Sequence, residues 1–206
     1  MEGKLLVISG LSAAGKGTIA KELVNRFDNF VLSVSATTRE KRGNEVDGKD
    51  YFFISKEKFD EMIDNDEFLE YAKYVNNYYG TPKKYVEDKI KEGKNVILEI
   101  EMQGALQVKK IYEKAVLVFF LPRDAKTQRE RLINRKRETI EQIEERISQA
   151  VVDAEYAIHY DYVLVNENLE DSIKDMQEIV EDKYDKTKNK TALNILEKIV
   201  KDIKGE

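Results

Sequence analysis

The chain has 206 residues, 41% of them hydrophobic and 36% charged, with 35 Lys and Arg against 40 Asp and Glu for a formal charge of −5. That is material for one domain, or for a core carrying a small insert, and the acidic balance excludes a global attraction to nucleic acid or to an anionic membrane. The absence of cysteine excludes disulfides and thiolate-bound zinc.

The first apolar run, Leu5 to Ile8, is too short for a signal segment or a membrane span, so a cytoplasmic protein is expected. "KLLVIS" reads as a short buried strand, followed by a glycine loop and a helix from about Lys16 to Phe27 with Ile19, Leu23 and Phe27 on one face. "FVLSVS" reads as a second strand, and "ATTREKRGNEVDGKD" as a polar, basic loop. "YFFIS" and "FLEYAKYV" read as strands around the helix "KEKFDEMIDND", and "NNYYGTPKKY" as the approach to another helix ending near Gly93. "NVILEI", "AVLVFFL" and "YDYVLVN" resume the buried-strand pattern, with a helix from near Gln103 after the first and charged helices from Asp124 after the second. The C-terminal stretch is helical and amphipathic at Leu193, Ile195, Leu196, Ile199, Val200 and Ile203.

Alternating strands and helices predict an α/β fold with a doubly wound parallel sheet. Residues 36–90 are expected to form an α+β insert, residues 125–146 a helical lid, and residues 1–35, 91–124 and 147–206 the core of a single domain, 1–206.

"SGLSAAGKGT" departs by one residue from a phosphate-binding P-loop, because Gly17 stands where a hydroxyl is usual and Thr18 follows it. Glycines at 10, 15 and 17 would serve equally to turn a strand into a helix. The strand–loop–helix context favours the phosphate reading, in which backbone N–H groups and Lys16 surround an anion. Thr18 lies about 100° further round a helix than residue 17, so its hydroxyl cannot take the usual place beside Mg²⁺. Ala13 is expected to fit only with a negative φ.

In "TTREKR", Arg39 and Arg42 present paired guanidinium forks suited to a phosphate monoester, beside hydroxyls at Ser35, Thr37 and Thr38. "SATTREKRGNEVDGKDYFF", "FLEYAKYVNNYYGT", "LEIEMQGA" and "RLINRKRETIEQIEERI", in that order behind the P-loop, resemble the guanylate kinase family over about residues 4–185. The resemblance implies the P-loop fold above and transfer of the γ-phosphoryl of ATP to GMP, with ATP as donor and Mg²⁺ as the accompanying ion.

By that resemblance ATP is held by Gly10, Leu11, Ser12, Ala13, Ala14, Gly15, Lys16, Gly17 and Thr18, with Arg131 and Asn166. Arg39, Arg42, Tyr51 and Tyr79 are implied at the GMP phosphate, and Ser35, Glu70, Thr81 and Glu101 around the guanine. Lys16, Arg39, Arg135 and Arg146 are implied in catalysis, with Mg²⁺ held mainly by phosphates and waters and with Thr18 and Glu99 as candidate neighbours. The chemistry is sensible by itself. A carboxylate accepts from both the N1–H and the N2–H₂ of guanine while a hydroxyl donates to O6, and adenine inverts that pattern. Arg129, Arg137 and most glutamates of the helical stretch are expected on a solvated face, and His159 is expected to be structural.

Leu11 and Ala13 replace a proline and a glycine usual in the family, Lys41 replaces a proline, and Glu99 and Glu101 replace aspartates. Each glutamate is a methylene longer, and alternation along the strand can turn one away from the site, Glu99 before Glu101. GMP is expected to close the insert and ATP the lid. A non-catalytic interaction module of the same fold would be expected to lose Lys16 or the lid arginines, all present here. A same-fold kinase for another phosphorylated acceptor is opposed by Ser35, Glu70 and Thr81. Small-molecule nucleotides are the expected partners, with no nucleic acid and no membrane; no pattern speaks to oligomeric state.

Overall fold

The structure, a computed structural model, describes residues 2–74, 76–136 and 138–205. The first half runs β1 (Leu5–Gly10), α1 (Lys16–Arg26), β2 (Phe30–Leu32), β3 (Ala36–Thr37), β4 (Phe52–Phe53), α2 (Lys56–Asp64), β5 (Phe68–Tyr74), β6 (Asn77–Pro82) and α3 (Lys83–Lys91). The second half runs β7 (Asn95–Glu99), α4 (Met102–Ile111), β8 (Val116–Pro122), α5 (Ala125–Asn134), α6 (Ile140–Ala154), β9 (Tyr162–Asn166), α7 (Leu169–Val180) and α8 (Lys188–Lys204).

β1 is apolar along nearly its whole length because it is buried on both faces, in the middle of a parallel five-stranded sheet ordered β2-β7-β1-β8-β9. Alternate residues feed two cores. Leu6, Ile8, Ile97, Val118 and Phe120 pack under Ile19 and Leu23 of α1 and Ile173 and Met176 of α7. Leu5, Val7, Leu98, Phe119 and Leu121 pack under α3, α4 and α8, through Val86, Ile90, Ala105, Leu196 and Ile199. Helices on both faces make this a doubly wound sheet, and the strand order reverses at β1, whose C-terminal end opens on the glycine loop.

A second, four-stranded sheet, β4-β3-β6-β5, carries its own small core of Ala36, Phe59 and Phe68. Here the structure departs from the sequence expectation. The run Phe30–Ser35 is not one strand: it leaves the first sheet after Leu32 and enters the second at Ala36. Residues 77–82, expected only as an approach to a helix, form β6, antiparallel to β5 from Tyr74↔Asn77 to Glu70↔Thr81. Polar and aromatic residues sit side by side there, so no two-residue alternation announces a strand. Of "YFFIS" only Phe52–Phe53 forms a strand, with Tyr51 in an isolated bridge to Asp47.

α8 is amphipathic as expected, with Ala192, Leu196 and Ile199 buried. No described helix is long and apolar enough to cross a membrane.

Candidate active site

α1, like α3, α4 and α8, begins without a side-chain cap, and among the described helices it alone begins on a left-handed residue. α2, α5, α6 and α7 each have a side chain accepting from the first turn, from Ser55, Asp124, Thr139 and Asn168. At Asp124 those hydrogen bonds, first that of the Thr127 backbone, hold the carboxyl down to about 2. α1 opens on Gly15 in the left-handed region, φ 89°, with no side-chain cap. Thr18 N–H turns back to Gly15 O at 3.0 Å, which leaves the Lys16 and Gly17 N–H groups open to an anion. A Cβ at Gly15 would stand 2.3 Å from Asn166 Nδ2, so glycine is required there twice over.

The loop is held from behind. Asn166, at the end of β9, donates through Nδ2 to Ala14 O at 2.7 Å and accepts through Oδ1 from Ser172 at 3.0 Å. Arg131 donates to Ala13 O and Asn166 O, and Gln128 Nε2 to Ser12 O at 3.1 Å. Asn166 and Arg131 thus brace the loop as well as line the cavity beside it. Ala13 contradicts its sequence expectation: its φ is 60°, not negative. Its methyl is buried against Leu132, Ile143 and Ile147, the packing that compensates a conformation glycine would adopt more easily.

In front of the loop lies a cleft of about 320 Å³ lined by Lys16, Glu99, Glu101, Arg135 and Arg146 among others. Lys16 Nζ donates to Gly10 O at 2.8 Å and Leu11 O at 3.1 Å, folded over the loop, and burial lowers its pKa against the raising effect of Glu99 and Glu101. Arg146 donates to Ser12 Oγ at 3.2 Å, while Arg135 is exposed at the cleft wall. Glu99, the glutamate expected to turn away before Glu101, is not turned away: its carboxylate lies against Gly17. Glu101 is the N-cap residue of α4 and lies in the same cleft. Thr18 is exposed and lines a flanking cavity of about 420 Å³ with Arg131, Asn134, Asn166, Glu167 and Leu169.

Sequence reasoning missed Gln149 and Asp153 in the cleft, though they follow Arg146 at helical spacings of three and seven. It missed Glu45 as well. Arg137 lies outside the described residues, and His159 is exposed in a short turn.

A second cluster forms on the smaller sheet. Arg39 is buried between Glu45, which it meets at 2.7 Å, and the ring of Tyr51, 5.4 Å from its guanidinium carbon. Glu45 Oε2 also accepts from the Arg42 backbone at 2.8 Å, and Arg42's side chain is exposed. The hydrogen bond to Glu45 raises the Arg39 pKa, and Tyr79, edge-on to Tyr51, adds to it. Glu70 and Thr81 face each other across β5 and β6, and burial pushes the Glu70 carboxyl above the usual carboxylate range. Glu70 Oε2 lies 3.6 Å from a Cβ built on Gly104, so the first turn of α4 adjoins this cluster. Ser35, half-buried, precedes β3.

A glycine loop with an open helix N-terminus, at the switch point of a doubly wound parallel sheet, defines a P-loop nucleotide-binding protein of the α/β class. A family model described as guanylate kinase matches residues 2–183. The chain is 48% identical over 185 residues to the guanylate kinase of Clostridioides difficile (strain 630), covering 90% of each chain. It is 46% identical over 179 residues to that of Clostridium tetani (strain Massachusetts / E88), covering 87% of this chain and 86% of the relative. It also resembles the crystal structure of guanylate kinase from Anaplasma phagocytophilum, with 32% identity, a TM-score of 0.64 and coverage of 91% and 89%. The chain belongs to the guanylate kinase family.

Proposed function

We propose that the two clusters divide the work of one transfer between ATP and GMP. As a guanylate kinase the chain transfers the γ-phosphoryl of ATP to GMP, giving ADP and GDP. The uncapped start of α1 and Lys16 would take the phosphates of ATP, with the base beside Arg131, Asn166 and Leu169. Arg39, Arg42, Tyr51 and Tyr79 would take the phosphate of GMP, and Ser35, Glu70 and Thr81 its base, with Glu101 at the boundary between the clusters. The observation that carries this division is the uncapped helix start facing a cleft lined by Arg135 and Arg146.

The acceptor is a phosphate oxygen. A phosphate monoester, with its second pKa at about 6, is mostly dianionic at neutral pH, so no general base is needed. What must be overcome is repulsion between two anions, and fixed cations do that: Lys16, Arg135 and Arg146 from the donor side, Arg39 from the acceptor side. Oxygen donors at the loop mouth, Glu99 and Thr18, are of the hard class that suits Mg²⁺. Among the described residues no group of three His, Asp or Glu forms a metal cage, so the ion would rest mainly on nucleotide phosphates and waters. Bound there, it would neutralise charge on the β- and γ-phosphates.

The β3–β6 sheet and the α5–α6 hairpin would act as an acceptor-side flap and a lid, closing on GMP and ATP to keep water from taking the phosphoryl group.

ADP production from ATP and Mg²⁺, with GMP, AMP, CMP, UMP and dTMP in parallel, tests the reading. Turnover with GMP alone is expected, and turnover with AMP but not GMP would overturn the base assignment. Lys16→Ala should reduce the rate by at least about a thousandfold, leaving GMP affinity largely intact.

A further inference from the structure

Glu99 ends β7, opposite Ile8 of β1. Along β7, Val96 and Leu98 join the core under α4 and α8, while Ile97 joins the core under α1. Alternation therefore brings Glu99 out on the α1 face, at the first turn of that helix. There it meets Gly17: a Cβ built on Gly17 would stand 3.2 Å from Glu99 Oε2 and 3.6 Å from Oε1. The first distance is tighter than ordinary contact. A serine or threonine at 17 would carry its hydroxyl one bond beyond that Cβ, so a rotamer facing Glu99 would enter the volume the carboxylate occupies. The carboxylate also borders a cavity shared with Gly15, Thr18, Lys21 and Arg135, in front of the open helix N-terminus.

We propose that Glu99 takes the place of the hydroxyl a P-loop ordinarily presents at position 17, and that Gly17 is the residue that admits it. The two positions are one unit, and the unit's task is to orient the ion, or its waters, that accompanies the nucleotide phosphates. The extra methylene of glutamate over aspartate has a purpose here, since it carries the carboxylate from the end of β7 to the loop. A carboxylate oxygen is a stronger partner than a hydroxyl for a hard cation and its waters. Glu99 is thereby a positioning residue whose length is matched to the missing side chain at 17. The inference rests on the loop being the ATP site.

The test is a double-mutant cycle read by binding. ADP affinity is measured by calorimetry with Mg²⁺ and again in EDTA, and the ratio gives the metal-dependent gain. The proteins are wild type, Gly17→Ser, Glu99→Asp, the double substitution, and Glu99→Gln, which keeps the shape and loses the charge. Thermal melting confirms that each is folded. Glu99→Asp, Glu99→Gln and Gly17→Ser should each reduce the metal-dependent gain about tenfold, with EDTA affinity little changed. The double substitution should recover to within about threefold of wild type, because a hydroxyl and a shorter carboxylate fit together.

Additive losses in the double substitution overturn the pairing. A full metal-dependent gain in Glu99→Gln overturns it too, and this holds even if Gly17→Ser fails to fold. Wild-type protein that binds no ADP in either buffer sinks the loop reading itself, and the pairing with it.

Discussion

Thr81 and Glu70 are register partners across β5 and β6, and the Thr81 hydroxyl donates to Glu70 Oε1 at 2.6 Å. Thr81 is fully buried, and a hydroxyl has one proton to give. With that proton on Glu70, Thr81 offers the base only lone pairs. In the proposed site Ser35 is then the hydroxyl that would donate to guanine O6. The proposed base site is thus a carboxylate held in place by one hydroxyl, with Ser35, just before β3, proposed as the second.

Thr81→Val should move the acid limb of the GMP profile. Glu70 must be ionised to accept from guanine, burial raises its pKa, and the Thr81 bond lowers it. GMP use is therefore lost on acidification at a pH above the ordinary glutamate range. Removing the hydroxyl should shift that loss to still higher pH while the plateau rate changes by less than about tenfold. A pH profile of kcat/KM for GMP checks this, and an unmoved acid limb would refute it.

Glu70→Gln should trade specificity for stability. Two hydrogen bonds to a charged acceptor are lost, so the preference for GMP over AMP should fall about a hundredfold or more. Stability should move the other way. With a folded-state pKa above the unfolded one, the wild-type protein loses stability as pH rises from the unfolded pKa through the folded one. The substituted protein should therefore melt at a higher temperature than wild type at pH 7, with the gain shrinking below the unfolded pKa. Melting curves at both pH values decide it.

Glu45→Ala should weaken GMP and spare ATP. One carboxylate oxygen holds the Arg39 guanidinium and the other the Arg42 backbone, so Glu45 stitches together the loop proposed to receive the acceptor phosphate. Loosening it should raise KM for GMP about tenfold, the scale of one hydrogen bond to a charged group. Steady-state kinetics with each nucleotide varied in turn will show whether KM for ATP stays put, as expected.

Ala13→Gly should be nearly neutral in melting temperature. It relieves a left-handed alanine, worth about 1 kcal/mol, and deletes a methyl buried against Leu132, Ile143 and Ile147, worth about 0.8 kcal/mol in the other direction. A loss above about 2 kcal/mol in chemical denaturation would mean that the packing dominates.

Asn166→Ala should cost about 1–3 kcal/mol, because Ala14 O and Ser172 Oγ lose a partner in a buried setting. ADP affinity should fall with it, since the loop loses its rear support. Denaturation and nucleotide titration on the same protein test both halves.

The parallel sheet was legible because strands buried on both faces must be written as apolar runs, as "LLVI", "NVILE" and "VLVFFL" are. The loop was legible because backbone approach to an anion demands glycine at set spacing. β6 was not legible, because Tyr78, Tyr79 and Gly80 hide the period of two, and neither was the point where the chain leaves one sheet for the other. Glu45 was missed because a glutamate in a charged loop looks like any other until its two partners are known. Gln149 and Asp153 carried a usable signal, their helical spacing from Arg146.

The sequence by itself determined the parallel sheet and its strand–glycine loop–helix unit, since both follow from local pattern and composition. Tertiary structure decided what each polar group is paired with: the Thr81 proton on Glu70, Glu45 on Arg39, Asn166 on the loop, and Glu99 against Gly17. Such pairings join residues from about 6 to about 150 positions apart, and a hydrogen bond is set by distance and direction in space, to which spacing along the chain is blind.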